Sequence, residues 1–303
     1  METVGTGDIV ARMNRIFLGQ QDVVRAIVCA MLAQGHVLLE GVPGVGKTLI
    51  GLAMSRLLDL SFKRIQFTND LLPSDITGFH TVNSSQGEFH LVKGPIFASI
   101  VLADEINRTS PKTQSALLEA MEEHKVTIDG TTYELPSPFM VIATQNPFEV
   151  VGTFPLPESQ MDRFLFRLDV GYPPLDEELQ ILEQGIDHKD AFALKPVASG
   201  QTLKGMIETV SRVLVHRDVL SYMASLVRAT RAHPMVELGV SPRGGLALKK
   251  ATQAWAYLHG RDFATPGDVK AVAPLVLAHR IVPKGGSPRG IVEALVHETP
   301  VPL

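Results

Sequence analysis

Gly41-Val42-Pro43-Gly44-Val45-Gly46-Lys47-Thr48 follows the apolar run His36-Val37-Leu38-Leu39-Glu40 and opens a helical pattern near Leu49. That context decides the reading. Glycines let successive backbone N–H groups turn inward around an anion, and a helix starting at the loop aims the positive end of its dipole at the same place. The stretch from Gly41 to Leu49 is therefore expected to cradle nucleotide phosphates. Lys47 is placed to reach the β- and γ-phosphates, and the Thr48 hydroxyl to ligate Mg²⁺. A glycine-rich turn that binds nothing is disfavoured by the strand before it and the helix after it.

Phosphate binding alone does not define a reaction. The run Ile100-Val101-Leu102-Ala103 ends in Asp104-Glu105. A buried strand delivers both carboxylates to its C-terminal edge, where open α/β sheets place their ligands. Asp104 is expected to orient the Mg²⁺ shell, and Glu105 to align and deprotonate an attacking water. A third apolar run, Phe139-Met140-Val141-Ile142, leads to Ala143-Thr144-Gln145-Asn146-Pro147. An amide there can bond the γ-phosphate or the water. Gln145 and Asn146 compete for that role, and Asn-Pro is also ordinary turn chemistry.

Two arginines extend the set. Arg163, in Leu156-Pro157-Glu158-Ser159-Gln160-Met161-Asp162-Arg163-Phe164, stands just before a strand, where surface ion pairs are common. Arg243, in Gly239-Val240-Ser241-Pro242-Arg243, starts a long helix with Leu246, Leu248, Ala251 and Trp255 available for packing. A near-copy, Ser287-Pro288-Arg289, precedes no long helix, which favours Arg243.

Composition narrows the class. The chain has 303 residues, room for two domains, with 45% apolar and 20% charged residues, an ordinary globular balance. Its net charge of −4 supplies no field toward DNA or anionic membranes, so a nucleic-acid partner is disfavoured. The single cysteine, Cys29, excludes an intrachain disulfide, fits a reducing cytosol and lies in an apolar run as a buried structural thiol would. No basic-then-apolar leader opens the sequence, and no apolar run approaches the ~18 residues that span a bilayer. A cytoplasmic location is expected. The 10 histidines include no close pair at metal-ligand spacing, which argues against a zinc site.

Strand and helix signals alternate through the first half, predicting an α/β domain around a largely parallel sheet. The strands are predicted at Val37–Leu39, Phe62–Phe67, Ile100–Ala103, Met140–Thr144 and Leu165–Val170. Two hairpins interrupt them. One runs from Pro73 to Pro95 around Asn83-Ser84-Ser85-Gln86-Gly87, and the other spans Lys125–Leu135 around Asp129-Gly130. Beyond Pro173-Pro174 the pattern is helical only, so an α/β domain over 1–172 and a helical domain over 173–303 are expected. The Pro283–Gly290 segment reads as a loop before a short last helix, leaving terminal packing open.

In this order the pieces resemble the AAA+ ATPases. Leu71-Leu72-Pro73-Ser74-Asp75-Ile76-Thr77-Gly78, Asp104-Glu105-Ile106-Asn107-Arg108, Leu117-Leu118-Glu119-Ala120-Met121-Glu122-Glu123 and the stretch ending Asp162-Arg163-Phe164 narrow the resemblance to the MoxR family. It runs from Gly19-Gln20 to Gly260-Arg261-Asp262. The resemblance implies a phosphate-loop AAA+ core with two hairpin insertions and a small all-α lid. It also implies ATP and Mg²⁺, and a homo-oligomeric ring, usually a hexamer, with nucleotide between subunits. Arg163 would match the arginine finger acting on the neighbour's γ-phosphate, Asn146 the polar sensor, and Arg243 the sensor of the lid, in cis or in trans. Gly19 and Gln20 would match the segment beside the adenine. Phe79 and Phe89 either face a central pore or staple their hairpin to the body. The family's association with von Willebrand factor A-domain proteins implies such a partner, with a protein or metalloprotein client remodelled by ATP hydrolysis. A DNA-acting ATPase and a nucleotide-gated scaffold with little hydrolysis stand as alternatives.

Overall fold

The computed structural model describes residues 5–42, 44–82, 89–149, 152–185 and 188–301. Helices α1 (Thr6–Asn14) and α2 (Gln21–Leu32) precede β1 (Val37–Glu40), the glycine-rich loop and α3 (Lys47–Leu57). Next come β2 (Phe62–Gln66), the short helix α4 (Pro73–Thr77), the hairpin β3 (Gly78–Val82) and β4 (Phe89–Lys93), and β5 (Ile100–Asp104). Helix α5 (Pro111–Glu123) leads to the second hairpin, β6 (Lys125–Ile128) and β7 (Thr131–Glu134), then to β8 (Met140–Gln145), α6 (Glu158–Met161) and β9 (Phe166–Asp169). Helices α7 (Leu175–Gln184), α8 (His188–Ala193), α9 (Gly200–Ser211), α10 (Arg217–Ala232), α11 (Pro242–Leu258), α12 (Pro266–Leu277) and α13 (Pro288–Glu298) follow among the described residues. Two short strands, β10 (Val236–Leu238) and β11 (Val282–Pro283), lie among them.

Five strands form the core sheet in the order β2-β5-β8-β1-β9. β5 runs parallel to both neighbours, with Gln66 opposite Asp104 on one side and Ala103 opposite Ala143 on the other. β1, β5 and β8 are buried along nearly their whole length, as strands covered on both faces are. The predicted strands match these within a residue or two at each end. The order places the ends of β5, β8 and β1 side by side, and chain order reverses direction around β1, where open α/β sheets bind ligands.

The chain divides into two compact units. One comprises the described residues of Met1–Val24, Leu38–Leu156 and Asp169–Gly200; the other comprises those of Arg25–Val37, Pro157–Leu168 and Gln201–Leu303. In the first, Leu49, Leu52 and Ala53 of α3 pack on Ala191 of α8, with Ile16, Phe62 and Leu194 around them. This apolar seat fixes the helix that follows the glycine-rich loop.

The first insertion is not hairpin throughout. Pro73 takes a first-turn position and Asp75 accepts the Leu72 N–H at 2.8 Å, so Pro73–Thr77 folds as a helical turn before the strands begin. Gly78 then sits at φ +92 with its α-carbon against the Val92 carbonyl, leaving no space for a side chain. β3 and β4 pair from Gly78↔Lys93 to Val82↔Phe89. The turn Asn83-Ser84-Ser85-Gln86-Gly87 and the Phe89 side chain lie outside the described residues, as does Pro43. In the second hairpin Asp129 and Gly130 both have positive φ, the geometry of a tight two-residue turn. His80 ties the insertions together: Nδ1 lies 2.9 Å from Asp129 Oδ2 and Nε2 lies 3.0 Å from the Tyr133 hydroxyl. Phe79 is half-exposed, with 49% of its surface open.

In the second unit, proline at the first turn and a hydroxyl cap start three helices. Ser241 accepts the Gly244 N–H, Thr265 the Asp268 N–H and Ser287 the Gly290 N–H. Pro288–Gly290, read from the sequence as loop, is thus the first turn of α13. That helix buries Val292, Leu295 and Val296, and the Tyr222 hydroxyl donates to the Val296 carbonyl at 3.4 Å. The helices are joined by a pairing absent from the sequence reading, β10 with β11, which aligns Val236 with Pro283 and Leu238 with Val282. So short a pairing carries too few residues for an alternating pattern. Cys29 is fully buried with its Sγ 3.5 Å from the Ala251 carbonyl, and burial pushes its thiol pKa far up.

Candidate functional site

The loop after β1 leaves the strand through Gly41, whose α-carbon faces the Val170 carbonyl so closely that no side chain fits. Gly44 and Gly46 take φ values of +88 and +82, left-handed conformations that favour glycine, and α3 starts at Lys47. Turns of this kind form anion nests from consecutive N–H groups. Val42, Val45 and Thr48 are half-buried and Leu49 is buried. Lys47 Nζ donates to the Gly41 carbonyl at 2.5 Å. Its pKa is pulled down chiefly by burial, against which the charges of Asp104 and Glu105 act.

Asp104 ends β5, and its two oxygens have separate partners. Oδ1 accepts from the Thr144 hydroxyl at 2.6 Å, and Oδ2 accepts from Arg64 Nη2 at 2.6 Å and Nε at 3.1 Å. Glu105 takes a left-handed φ of +58 and donates its N–H to Thr144 Oγ1 at 2.9 Å. Its carboxylate Oε2 accepts from Gln66 Nε2 at 2.9 Å and Arg108 Nη1 at 3.0 Å. The Glu105 bond is also the main reason the Arg108 guanidinium is held above its usual range. Both acids are thus oriented by side chains from β2, β8 and the turn after β5.

Gln145 and Asn146, which compete on sequence, have different partners. Gln145 Nε2 bonds the buried Glu40 carboxylate at the end of β1, and its carbonyl accepts the Gly41 N–H at 3.4 Å. Asn146 lies one residue past β8, and its Oδ1 accepts the Phe148 N–H at 3.1 Å, so its NH₂ group remains for another acceptor. Gly19 and Gln20 lie against the chain leaving β9. Gly19, at φ +74, abuts Pro173 and Pro174, and Gln20 Nε2 donates to the Gly171 carbonyl at 3.0 Å. Phe17 lies against Gly46, which brings this segment beside the loop.

The structure thus brings Gly19, Gln20, the loop residues, Asp104, Glu105 and Asn146 into one unit. Arg163 and Arg243 belong to the other. Arg163 directly follows the turn of α6 and is half-buried, with its N–H on the Gln160 carbonyl at 3.2 Å. Arg243 is 47% exposed in the first turn of α11, its Nε 3.8 Å from Asp162 Oδ2. Arg289 instead pairs with Glu293 on its own helix at 2.9 Å.

The donor set fits Mg²⁺. Thr48 offers a hydroxyl at the start of α3 and Asp104 one carboxylate, and Mg²⁺ in phosphate sites takes few protein ligands beside phosphates and water. Among the described residues no group of three or more His, Cys, Asp or Glu could form an all-protein metal cage.

Sequence reasoning missed Thr144, Arg64, Gln66 and Glu40. Arg64 and Gln66 do carry a signal, polar residues two apart on one strand face. Glu40 carries another, an acid closing a wholly buried strand.

A family model described as "ATPase family associated with various cellular activities (AAA)" matches residues 36–166, and one described as "AAA lid domain" matches residues 228–299. The uncharacterized protein YeaC of Bacillus subtilis is 51% identical over 276 residues, 91% of this chain and 86% of that protein. Chaperone MoxR1 of Mycobacterium tuberculosis is 43% identical over 280 residues, 89% of this chain and 74% of that protein. The crystal structure of a candidate ATPase from Cytophaga hutchinsonii shares the fold at a TM-score of 0.89 and 35% identity, over 98% of this chain and 94% of that one. Among the described residues no helix is long and apolar enough to cross a membrane. With the glycine-rich loop, the paired acids and the amides of Gln145 and Asn146 on adjoining strand ends, these likenesses identify the chain as a member of the MoxR family of AAA+ ATPases.

Proposed function

We propose that this chain hydrolyses ATP to ADP and phosphate in the cytoplasm, and uses the reaction to remodel or mature a protein or metalloprotein partner. The observation that carries this reading is the Glu105 carboxylate. It is held by Gln66 and Arg108 at the strand end beside Asp104, and both acids act electrostatically on Lys47.

In this reading the N–H groups of Gly44–Thr48 and the Lys47 ammonium bind the β- and γ-phosphates, and the Gly19-Gln20 segment lies by the adenine. Thr48 and Asp104 would hold Mg²⁺, which would supply neutralisation of phosphate charge. Glu105 takes a proton from water as its oxygen bonds the γ-phosphorus and the bond to the ADP oxygen breaks. Asn146 holds that water or the γ-phosphate through its NH₂ group. Arg163 of one subunit neutralises charge developing on its neighbour's nucleotide in a homo-oligomeric ring, taken as hexameric, and Arg243 couples phosphate state to the lid. The name of Chaperone MoxR1 supports a protein client, and the family resemblance supports a partner with a von Willebrand factor A domain.

The test is ATP hydrolysis per chain against protein concentration, with and without Mg²⁺. A specific rate that rises to a plateau is expected for a site completed by a neighbour. Glu105→Gln should keep ATP binding and stop turnover, and Lys47→Ala should lose binding. Turnover by Glu105→Gln near that of the parent chain would remove Glu105 from the reaction.

A further inference from the structure

Arg280, at the end of the turn after α12, has a side chain only 3% exposed, yet every N–H of its guanidinium meets an acceptor. Nε donates to Asp162 Oδ1 at 2.6 Å. Nη2 donates to the carbonyls of Asp162 at 3.0 Å and Phe164 at 2.6 Å. Nη1 donates to the Leu165 carbonyl at 3.2 Å and to the Val276 carbonyl. The carbonyls of residues 162, 164 and 165 bracket Arg163. One buried fork therefore fixes the backbone on both sides of that residue.

The surroundings keep the fork in place. His279 Nε2 lies 2.7 Å from Arg280 Nη1 and 3.0 Å from the Phe164 carbonyl. Burial first, and the Arg280 charge second, hold the His279 pKa well below its ordinary value, so the ring is neutral and adds no second cation. Burial also lowers the Arg280 guanidinium to about 10, with Asp162 opposing, so it stays charged at neutral pH. Gly244 lets the aliphatic stem pass the start of α11: a side chain there would meet Arg280 Cδ at 2.9 Å. The second carboxylate oxygen of Asp162 faces Arg243 Nε at 3.8 Å. Asp162 is therefore shared between a buried arginine that grips the Arg163 turn and a half-exposed arginine on α11.

We infer that Arg280 and Asp162 are positioning residues for ATP turnover: Arg280 sets the backbone from which Arg163 projects, and Asp162 links that turn to Arg243. The inference rests on the reading of Arg163 as the arginine that completes the nucleotide site. A buried ion pair is a poor device for stability alone, since well-packed apolar residues of similar volume do as well or better. Its distinctive contribution here is geometry. A guanidinium presents five donors in a fixed plane, whereas a lysine ammonium is a point charge without the fork.

The experiment uses the full chain and measures kcat, ATP KM and melting temperature for Arg280→Lys, Asp162→Asn, Arg163→Ala and the double variant Arg163→Ala/Arg280→Lys. Arg280→Lys should lower kcat by about 10- to 100-fold, the scale of an ångström-sized misplacement, and move KM by less than about threefold. In the Arg163→Ala background the same change should subtract nothing further. An equal loss in both backgrounds, or a lower melting temperature with kcat intact, overturns the inference. Asp162→Asn keeps the shape and Arg280 itself, and so serves if Arg280→Lys does not fold; a fall in kcat of about tenfold without a change in KM is expected. Full kcat in folded Asp162→Asn overturns the inference too. Full turnover by Arg163→Ala sinks the reading of Arg163 and the inference with it. An inactive Arg163→Ala beside fully active Arg280→Lys and Asp162→Asn sinks only the inference.

Discussion

Replacing Thr144 by valine removes one hydroxyl from a fully buried side chain and leaves its shape almost unchanged. That hydroxyl accepts the Glu105 N–H at 2.9 Å and donates to Asp104 Oδ1 at 2.6 Å. The neutral bond is worth about 1 kcal/mol net and the charge-assisted one about 1.5–3 kcal/mol. Valine also leaves the partly buried Glu105 N–H without its acceptor, at a residue whose left-handed backbone already costs about 1–2 kcal/mol. Thr144→Val should therefore destabilise the chain by about 3 kcal/mol, a large part of the ~5–15 kcal/mol by which a domain is stable. Thr144→Ser retains the hydroxyl and loses one buried methyl, about 1 kcal/mol. The two substitutions thus separate hydrogen bonding from packing. Urea unfolding and ATP turnover measured on the same preparations provide the assay. Turnover should follow the hydroxyl, with valine losing about 10- to 100-fold because Glu105 and Asp104 shift together, and serine staying near the parent chain. Equal stability of the two variants would refute the energetic reasoning. A destabilised valine variant with full turnover would refute the claim that Thr144 orients the acids.

Two further outcomes follow from buried groups of the second unit. Asp268 is 4% exposed, caps α12 with Thr265 and receives a two-pronged bond from Arg261. Burial alone would raise its pKa, but the Arg261 and Thr265 bonds outweigh it and the folded value lies below 3.8. The stability it adds is therefore complete above about pH 4 and is lost as pH falls through the folded value; Asp268→Asn should cost about 2–3 kcal/mol at pH 7 and less at pH 2, read by urea unfolding. An equal cost at both pH values would contradict the ionic bond. Cys29, whose burial disfavours the thiolate, should resist a thiol reagent in the native chain and react at the rate of opening; immediate labelling would place it at a surface.

What the sequence made legible was whatever repeats with a period or clusters in a short motif. Three of the core strands, β1, β5 and β8, announced themselves as apolar runs, since a strand covered on both faces has little room for polar residues. Ser241-Pro242 marked the start of α11 because cap and first turn are local chemistry, whereas the same pair at Ser287-Pro288 was read as loop for want of a long apolar face behind it. The helical turn at Pro73–Thr77 and the pairing of β10 with β11 were too short to impose a pattern. Thr144, Arg64 and Arg280 were hidden for another reason. Their partners lie 40, 40 and 118 residues away, and several are backbone carbonyls, which carry no sequence identity. A histidine and an arginine inside the apolar run from Val276 to Val282 were the only local sign that something buried required charge.

Two neighbouring amides show how the structure separates roles that sequence leaves joined. β8 ends between Gln145 and Asn146, and the two side chains have different partners. Gln145 is committed to Glu40, and its carbonyl receives the N–H of Gly41, the first residue of the phosphate loop. Asn146 keeps its NH₂ group for another acceptor. The end of β8 therefore braces the loop with one residue and, on the proposed reading, senses the γ-phosphate with the next. A displacement of Asn146 that follows the departing phosphate must pass through the peptide that Gln145 holds against β1. Release of phosphate and loosening of the loop are in that case one motion, because a single peptide separates the sensor from the brace.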